Sequence, residues 1–147
     1  MQEPPMWSVH SRTITLYDQF IHSKNVKHMG IKPANLHVRR TGPDFRIYVA
    51  DFGIARAYKS AAESDTDPPT SFTRFQAAPA VAMQNTRGYT ADIFSLGCVC
   101  MEIIATLNTT LTKNERVRLA NIRNLGTDNS YDCNLSGISN GMVRYTR

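Results

Sequence analysis

The sequence predicts an α+β fold that is mostly helical and contains one small β-hairpin. Residues 92–107, DIFSLGCVCMEIIATL, carry apolar side chains on every side, which predicts a buried helix. Two short strand-like segments, residues 36–38 and 47–50, are separated by RRTGPDF, whose Gly-Pro pair favours a turn. A chain of 147 residues can form one domain with a real core, but not comfortably two.

Further helices are predicted on both sides of these elements. Residues 13–26 place apolar side chains on one side of a helix, and residues 112–124 begin with Thr112 and Glu115 at capping-box spacing. Residues 57–73 are rich in Ser, Thr, Asp and Pro and are predicted to be a mobile loop.

The composition predicts three regions along the chain. Residues 1–12 are expected to be irregular, and residues 13–125 are expected to form the folded domain. Residues 126–147 are rich in Asn, Ser, Gly and Asp and are expected to be an irregular, flexible tail.

The charge is unevenly distributed. The net charge is +5, with eight Lys/Arg against two Asp in residues 21–60 and three acids without a base in residues 61–70. This basic segment is either an ordinary solvated face or a surface that faces phosphate. The basic residues are not interleaved with aromatic ones and no nucleic-acid motif occurs, so we expect no nucleic-acid partner.

The apolar segments are too short for a membrane span. The longest, Ile93 to Leu107, is interrupted by Ser95, Gly97 and Glu102, and a span needs about 18 or more apolar residues. The first 12 residues do not resemble a secretory signal, so we expect an intracellular, cytoplasmic protein without membrane contact.

The three cysteines do not indicate a disulfide framework or a metal centre. Cys98 and Cys100 are separated by one residue in an apolar segment, whereas paired metal-binding cysteines are usually two to four residues apart. We interpret these two as small buried apolar side chains, and an odd number of cysteines in an intracellular chain gives no disulfide framework.

Four short motifs follow one another along the chain. Each is weak alone, but the ordered set with a hairpin between the first two is specific. They are His28-Met29-Gly30-Ile31-Lys32-Pro33-Ala34-Asn35, Asp51-Phe52-Gly53, Ala77-Ala78-Pro79-Ala80 and Asp92-Ile93-Phe94-Ser95-Leu96-Gly97.

Over about residues 15–107 this set resembles the large, C-terminal lobe of eukaryotic Ser/Thr-type protein kinases. The motifs match the catalytic loop, the metal-binding motif, the end of the activation segment and the central helix. The resemblance implies a mostly helical C-lobe fragment with a small hairpin and no N-lobe.

The resemblance also implies roles for individual residues, with ATP and Mg²⁺ as cofactors. Asp51 and Asn35 match the two metal ligands, and Lys32 matches the cation that neutralises the transferred phosphoryl group. Thr73 matches the threonine that bonds to the catalytic loop. By themselves the residues allow simpler roles: Asp51 as a turn cap, Asn35 as a partner of loop backbone, and Lys32 as a solvated surface lysine.

Three positions depart from the family pattern. Gly30 stands at the catalytic aspartate, and glycine can neither accept a proton nor orient a hydroxyl group. Met29 stands at the arginine that docks a phosphorylated activation loop, so phosphates at Thr66, Thr70 or Ser71 would lack their usual partner. Ala80 stands at the glutamate of the Ala-Pro-Glu motif.

The sequence contains no Gly-x-Gly-x-x-Gly and no lysine in a Val-Ala-Ile-Lys context. These features cover the ATP phosphates in the family, so we expect ATP binding to be weak or absent. The leading hypothesis is a catalytically inactive, pseudokinase-like module that binds another protein, or a decayed product that does not fold. The alternative is a Ser/Thr protein kinase whose missing N-lobe is supplied from elsewhere.

Overall fold

The structure is a computed structural model that describes residues 20–42, 44–60, 62–63, 74–83, 88–108, 115–124 and 128–142. Residues 20–23 are helical and are called α1. The strands are β1 (Val26–Lys27), β2 (Leu36–Thr41), β3 (Asp44–Val49) and β4 (Arg56–Ala57). The helices that follow are α2 (Pro79–Ala82), α3 (Thr90–Asn108), α4 (Glu115–Arg123) and α5 (Leu135–Met142).

The predicted hairpin is present, and its strands are longer than the sequence indicated. β2 pairs with β3 in antiparallel register from Leu36↔Val49 to Thr41↔Asp44. Gly42 has a φ of 64° at the turn, a conformation that glycine adopts without steric cost. The apolar pattern did not predict the outer halves of the strands, where backbone pairing continues although Arg39, Arg40 and Arg46 are exposed.

The predicted helix at residues 13–26 ends too late. The helical residues stop at 23, and Asn25 has a φ of 55°, in the left-handed region that commonly ends helices. Val26 and Lys27 then form β1, which pairs with β4 to make a second two-stranded sheet. Asn25 is therefore a helix terminator that the sequence analysis had placed inside the helix.

Helix α3 confirms the strongest sequence prediction and organises the core. It extends the predicted segment 92–107 to Thr90–Asn108. Three groups of buried side chains pack against it: one around Ile31 and Val99, one around Ala77 and Val81, and one around Tyr131 and Ile138. Burial is not complete on every side as predicted, since Ile93 is 54% exposed. None of the helices among the described residues has the length and apolar character that a membrane span requires.

The C-terminal region differs from the irregular tail expected after residue 126. Asp132–Asn134 form a 3₁₀ turn that leads into α5, and Tyr131 is fully buried. Tyr131 and Ile138 pack together with Cys98, which ties this region to α3. Two well-placed apolar side chains are enough to dock it, although its composition is polar.

Several other expectations concern residues outside the described ranges. Helix α4 begins at Glu115, and Thr112 of the predicted capping box is not among the described residues. Most of the predicted loop 57–73 and the irregular segment 1–12 also lie outside them. The division of the chain at residues 12 and 125 therefore stays a prediction.

Candidate functional site

The segment that matches the catalytic loop is fixed to α3 through one buried carboxylate. Asp92 accepts hydrogen bonds from the backbone amides of His28 at 2.7 Å and Met29 at 2.8 Å. Asp92 is only 3% exposed, so these charge-assisted bonds satisfy a carboxylate that would otherwise be costly to bury. These two bonds connect the catalytic-loop segment to the first turn of α3.

The hydrogen bond from the Met29 amide to Asp92 holds the loop in a strained conformation. Met29 has a φ of 62°, which is uncommon for a residue with a side chain. Such conformations persist where the surroundings over-determine them, and they occur often at functional sites. The bond to Asp92 supplies that constraint at Met29.

The buried imidazole of His28 connects the catalytic-loop segment to the Asp51 segment. Its Nδ1 accepts a hydrogen bond from the Gly30 amide at 3.2 Å, so the ring proton lies on Nε2, which donates to the Ala50 carbonyl at 3.1 Å. The ring also lies 4.8 Å from that of Phe52, measured between centroids. The sequence analysis gave His28 no role of its own, although its place at the start of the first motif was the available indication.

Asn35 is buried and its amide has a defined orientation. Its Nδ2 donates a 2.9 Å hydrogen bond to the Gly30 carbonyl. Because Nδ2 is the donor here, Oδ1 is the atom of this amide that can serve as a metal ligand. The simpler role, in which Asn35 satisfies loop backbone, and the predicted metal-binding role are therefore compatible.

Asp51 is exposed and occupies a left-handed conformation with a φ of 65°. Its Oδ1 accepts a 3.3 Å hydrogen bond from the Gly53 amide, which is the turn-capping role considered above. A carboxylate with one weak, solvent-exposed hydrogen bond retains lone pairs for a cation.

One cleft brings three of the four predicted site residues together. It has a volume of about 310 Å³ and is lined by Lys32, Asn35 and Asp51, together with Gly30. Lys32 is half-buried, and its ammonium group makes no ion pair or hydrogen bond with the part of the chain that the structure describes. The fourth predicted residue, Thr73, lies outside the described residues.

Comparison with known proteins identifies the family. A family model described as "Protein kinase domain" matches residues 12–134. The chain belongs to the protein kinase family.

The most similar kinases match a shorter part of the chain. Over 90 residues it is 40% identical to mitogen-activated protein kinase 4a of Physcomitrium patens and to mitogen-activated protein kinase 13 of Arabidopsis thaliana. It is 36% identical, also over 90 residues, to serine/threonine-protein kinase PKH3 of Eremothecium gossypii. These matches cover 58% of this chain and 12–22% of the relatives, so the chain spans a small part of each relative's length.

Protein kinases use ATP and Mg²⁺, and the residues that line the cleft fit both chemically. Asn35 and Asp51 would hold the metal, since Mg²⁺ prefers amide and carboxylate oxygens among protein ligands. Lys32 would face phosphate with its ammonium group. When bound, the metal and nucleotide would supply charge neutralisation and a phosphoryl group. The individual roles of these residues stay predictions.

The position of the kinase catalytic aspartate has room for a side chain. A Cβ built on Gly30 would lie 3.6 Å from each of its three nearest atoms, which belong to Asn35, His28 and Ile54. These are ordinary van der Waals distances, and Gly30 has no positive φ. The carboxylate is therefore absent from this position although the surrounding atoms leave room for a side chain.

A second polar cluster lies at the C-terminal half of α3. Glu102 accepts hydrogen bonds from Arg123 at 2.8 Å and from the Tyr131 hydroxyl at 2.7 Å. The Arg123 guanidinium also lies 4.0 Å from the centre of the Phe75 ring. Glu102 is therefore paired with a cation and hydrogen-bonded to a hydroxyl group. Burial, followed by the hydrogen bond to Glu102, raises the pKa of Tyr131 above its usual value.

Cys98 is buried, as the sequence indicated, whereas Cys100 is half-buried and Cys133 is exposed. Burial raises the pKa of the Cys98 thiol to about 12, so the side chain is neutral and apolar at physiological pH. No group of three His, Cys, Asp or Glu side chains within the described ranges has the geometry to hold a metal ion.

Proposed function

We propose that this chain is a pseudokinase-like module that does not transfer phosphoryl groups and that acts by binding another protein. Gly30, at the position of the catalytic aspartate, carries the proposal. Loss of a positioned general base typically lowers a rate by about 10²–10⁴-fold. Of the residues between His28 and Asn35, none is acidic, so no neighbour in this loop replaces the missing carboxylate.

We further propose that residues 13–125 correspond to the large lobe of the kinase fold alone. The ordered elements support this: a catalytic-loop segment, the β2–β3 hairpin, the Asp51 segment and the buried helix α3. In kinases these elements belong to one lobe, and they share the core formed around Ile31, Leu96 and Val99.

ATP binding by this chain is expected to be weak. Lys32, Asn35 and Asp51 offer contacts to metal and phosphate, but the cleft is lined mainly by loop residues and the N-terminal part of α3. The sequence has no Gly-x-Gly-x-x-Gly and no lysine in a Val-Ala-Ile-Lys context, which are the features that cover the ATP phosphates in the family.

The alternative is a Ser/Thr protein kinase that is completed by an N-lobe. The observation in its favour is that Lys32, Asn35 and Asp51 line one cleft and that the loop beneath them is anchored to Asp92. Substrate and regulation would then follow the kinase family in general.

The deciding experiment measures transfer of radiolabelled phosphate from ATP to a generic protein substrate, with Mg²⁺ or Mn²⁺. We expect no transfer by the unmutated chain. Gly30→Asp, which restores the carboxylate, and Asp51→Ala, which removes the proposed metal ligand, are the comparisons. Transfer by the unmutated chain that Asp51→Ala abolishes would refute inactivity, whereas transfer that survives Asp51→Ala would indicate a contaminating kinase.

Thermal melting followed by circular dichroism separates a binding module from a decayed product. We expect one cooperative transition, because buried side chains from distant parts of the chain share the core of α3. A featureless melt would favour a product that does not fold.

A further inference from the structure

The outward face of the β2–β3 hairpin is defined by the packing of its inward face. Leu36 and Ile47 pack against the core around Ile31 and Val99. Side chains alternate along a strand, so the neighbouring positions lie on the opposite face of the sheet. By register that opposite face, here called the basic face, includes the positions of His37, Arg39 and Thr41 on β2 and of Asp44, Arg46 and Tyr48 on β3.

The basic face holds two like charges directly opposite each other. Arg39 is the register partner of Arg46, which places their Cβ atoms about 5 Å apart. Both side chains are exposed, and neither makes an ion pair with any side chain that the structure describes. The hairpin segment 36–49 contains three arginines and one acid, Asp44. Like charges directly opposite on a sheet oppose folding, so this pair does not serve stability.

An anion bound between the two guanidinium groups would attract both of them and so offset their mutual repulsion. Arginine forms paired hydrogen bonds to carboxylate and phosphate, and a phosphate monoester carries enough charge and oxygen atoms for two arginines. His37 and Tyr48 face each other across the strands two positions away from the arginine pair. Their ring nitrogens and hydroxyl group extend the row of hydrogen-bonding groups along the strand direction.

We propose that the basic face binds a phosphorylated serine or threonine in an extended segment of a partner protein. The phosphate lies between Arg39 and Arg46, and the segment runs along the hairpin past Tyr48. An extended peptide repeats every two residues, as the side chains of this face do. The proposal concerns a face outside the cleft and is independent of what position 30 does.

Two other polyanions fit the face less well. Tyr48 is the one aromatic side chain on the basic face, whereas single-stranded nucleic acid usually stacks on several. A membrane surface would favour apolar side chains beside the basic ones, and the positions of this face other than Tyr48 carry polar or charged residues. Both are outcomes that the experiment below distinguishes.

The test measures fluorescence anisotropy of a labelled peptide that contains one phosphothreonine between glycine and serine residues, titrated with the full chain. Its unphosphorylated form is the ligand control. Arg39→Gln and Arg46→Gln remove the proposed contacts one at a time. Arg40→Gln is the matched protein control. Arg40 is also exposed, its substitution makes the same charge change, and it lies on the other face of β2.

We expect saturable binding of the phosphopeptide only, weakened about tenfold by either Arg39→Gln or Arg46→Gln and less than twofold by Arg40→Gln. The melting temperature of Arg39→Gln should equal or exceed that of the unmutated chain, since a repulsion is removed. Equal weakening by Arg40→Gln, or equal binding of the unphosphorylated peptide, would overturn the proposal. So would binding of oligouridylate or phosphatidylserine vesicles that is as tight and as dependent on Arg39 and Arg46.

Discussion

The backbone amide of Met29 donates a 2.8 Å hydrogen bond to Oδ1 of Asp92, a residue 63 positions away in the sequence. The other oxygen, Oδ2, accepts the His28 amide at 2.7 Å and lies 3.3 Å from His22 Nε2. One carboxylate on α3 therefore fixes the loop that carries Gly30 and Lys32. The position of the cleft depends on this contact.

Asp92→Asn is expected to lower the free energy of unfolding by about 2 kcal/mol. Asp92 is the third residue of α3, and its two carboxylate oxygens accept the loop amides of His28 and Met29. An amide, however, presents one acceptor to two donor amides, and a hydrogen bond to a charged group is worth about 1.5–3 kcal/mol. Urea denaturation gives the measurement.

Asp51→Asn is the matched control for that change, because Asp51 is exposed and asparagine tolerates the same left-handed conformation. It should leave the unfolding midpoint nearly unchanged. If Asp92→Asn is as mild as Asp51→Asn, then the loop is not anchored through Asp92 as described.

Gly30→Asp is expected to fold with a free energy of unfolding within about 1 kcal/mol of the unmutated chain. The added Cβ meets its nearest atoms at 3.6 Å, so no neighbouring group has to move to admit it. Urea denaturation of both proteins tests this. A loss of several kcal/mol would mean that the position requires glycine, and the substitution would no longer be a fair comparison for activity.

Mg²⁺–ATP is expected to bind with a Kd near or above about 1 mM, which corresponds to about −4 kcal/mol. The described part of the cleft offers contacts to metal and phosphate through Asn35, Asp51 and Lys32. Titration calorimetry with and without Mg²⁺ measures the affinity, and Asp51→Ala should remove the dependence on the metal. A micromolar Kd would show that another segment of the protein covers the adenine.

Alkaline pH is expected to destabilise the fold through Tyr131. Burial raises the pKa of its hydroxyl in the folded state, so between pH 10 and that raised pKa the unfolded state loses a proton that the folded state keeps. The stability that Tyr131 contributes is complete below about pH 10 and decreases by about 1.4 kcal/mol per pH unit above it.

Tyr131→Phe removes the titrating hydroxyl group. Above pH 10 the free energy of unfolding of this variant should therefore fall less steeply, by about 1.4 kcal/mol per pH unit, than that of the unmutated chain. The same substitution should lower the free energy of unfolding by about 1 kcal/mol at neutral pH, because the hydrogen bond to Glu102 is lost. Urea denaturation between pH 9 and 11 measures both effects. Parallel pH profiles for the two proteins would contradict a buried hydroxyl at this position.

The sequence was sufficient where local pattern and chemistry decide the outcome. The apolar content of residues 92–107 predicted α3, which spans Thr90–Asn108. The order of four motifs predicted that Asn35 and Asp51 belong to one site, and both line the same cleft. The prediction of α3 needs only the distribution of apolar side chains around a helix, whereas the grouping of Asn35 with Asp51 rests on the resemblance to protein kinases.

Other features were decided by contacts between residues far apart in the chain. No local pattern indicates that His28 Nε2 donates to Ala50, or that the charged halves of β2 and β3 stay paired. The C-terminal region appeared irregular because its composition is polar. Tyr131 and Ile138, seven residues apart, nevertheless lie two helical turns from each other and dock on Cys98 of α3. Composition averages over a segment, whereas burial of individual side chains against a distant helix decides whether that segment folds.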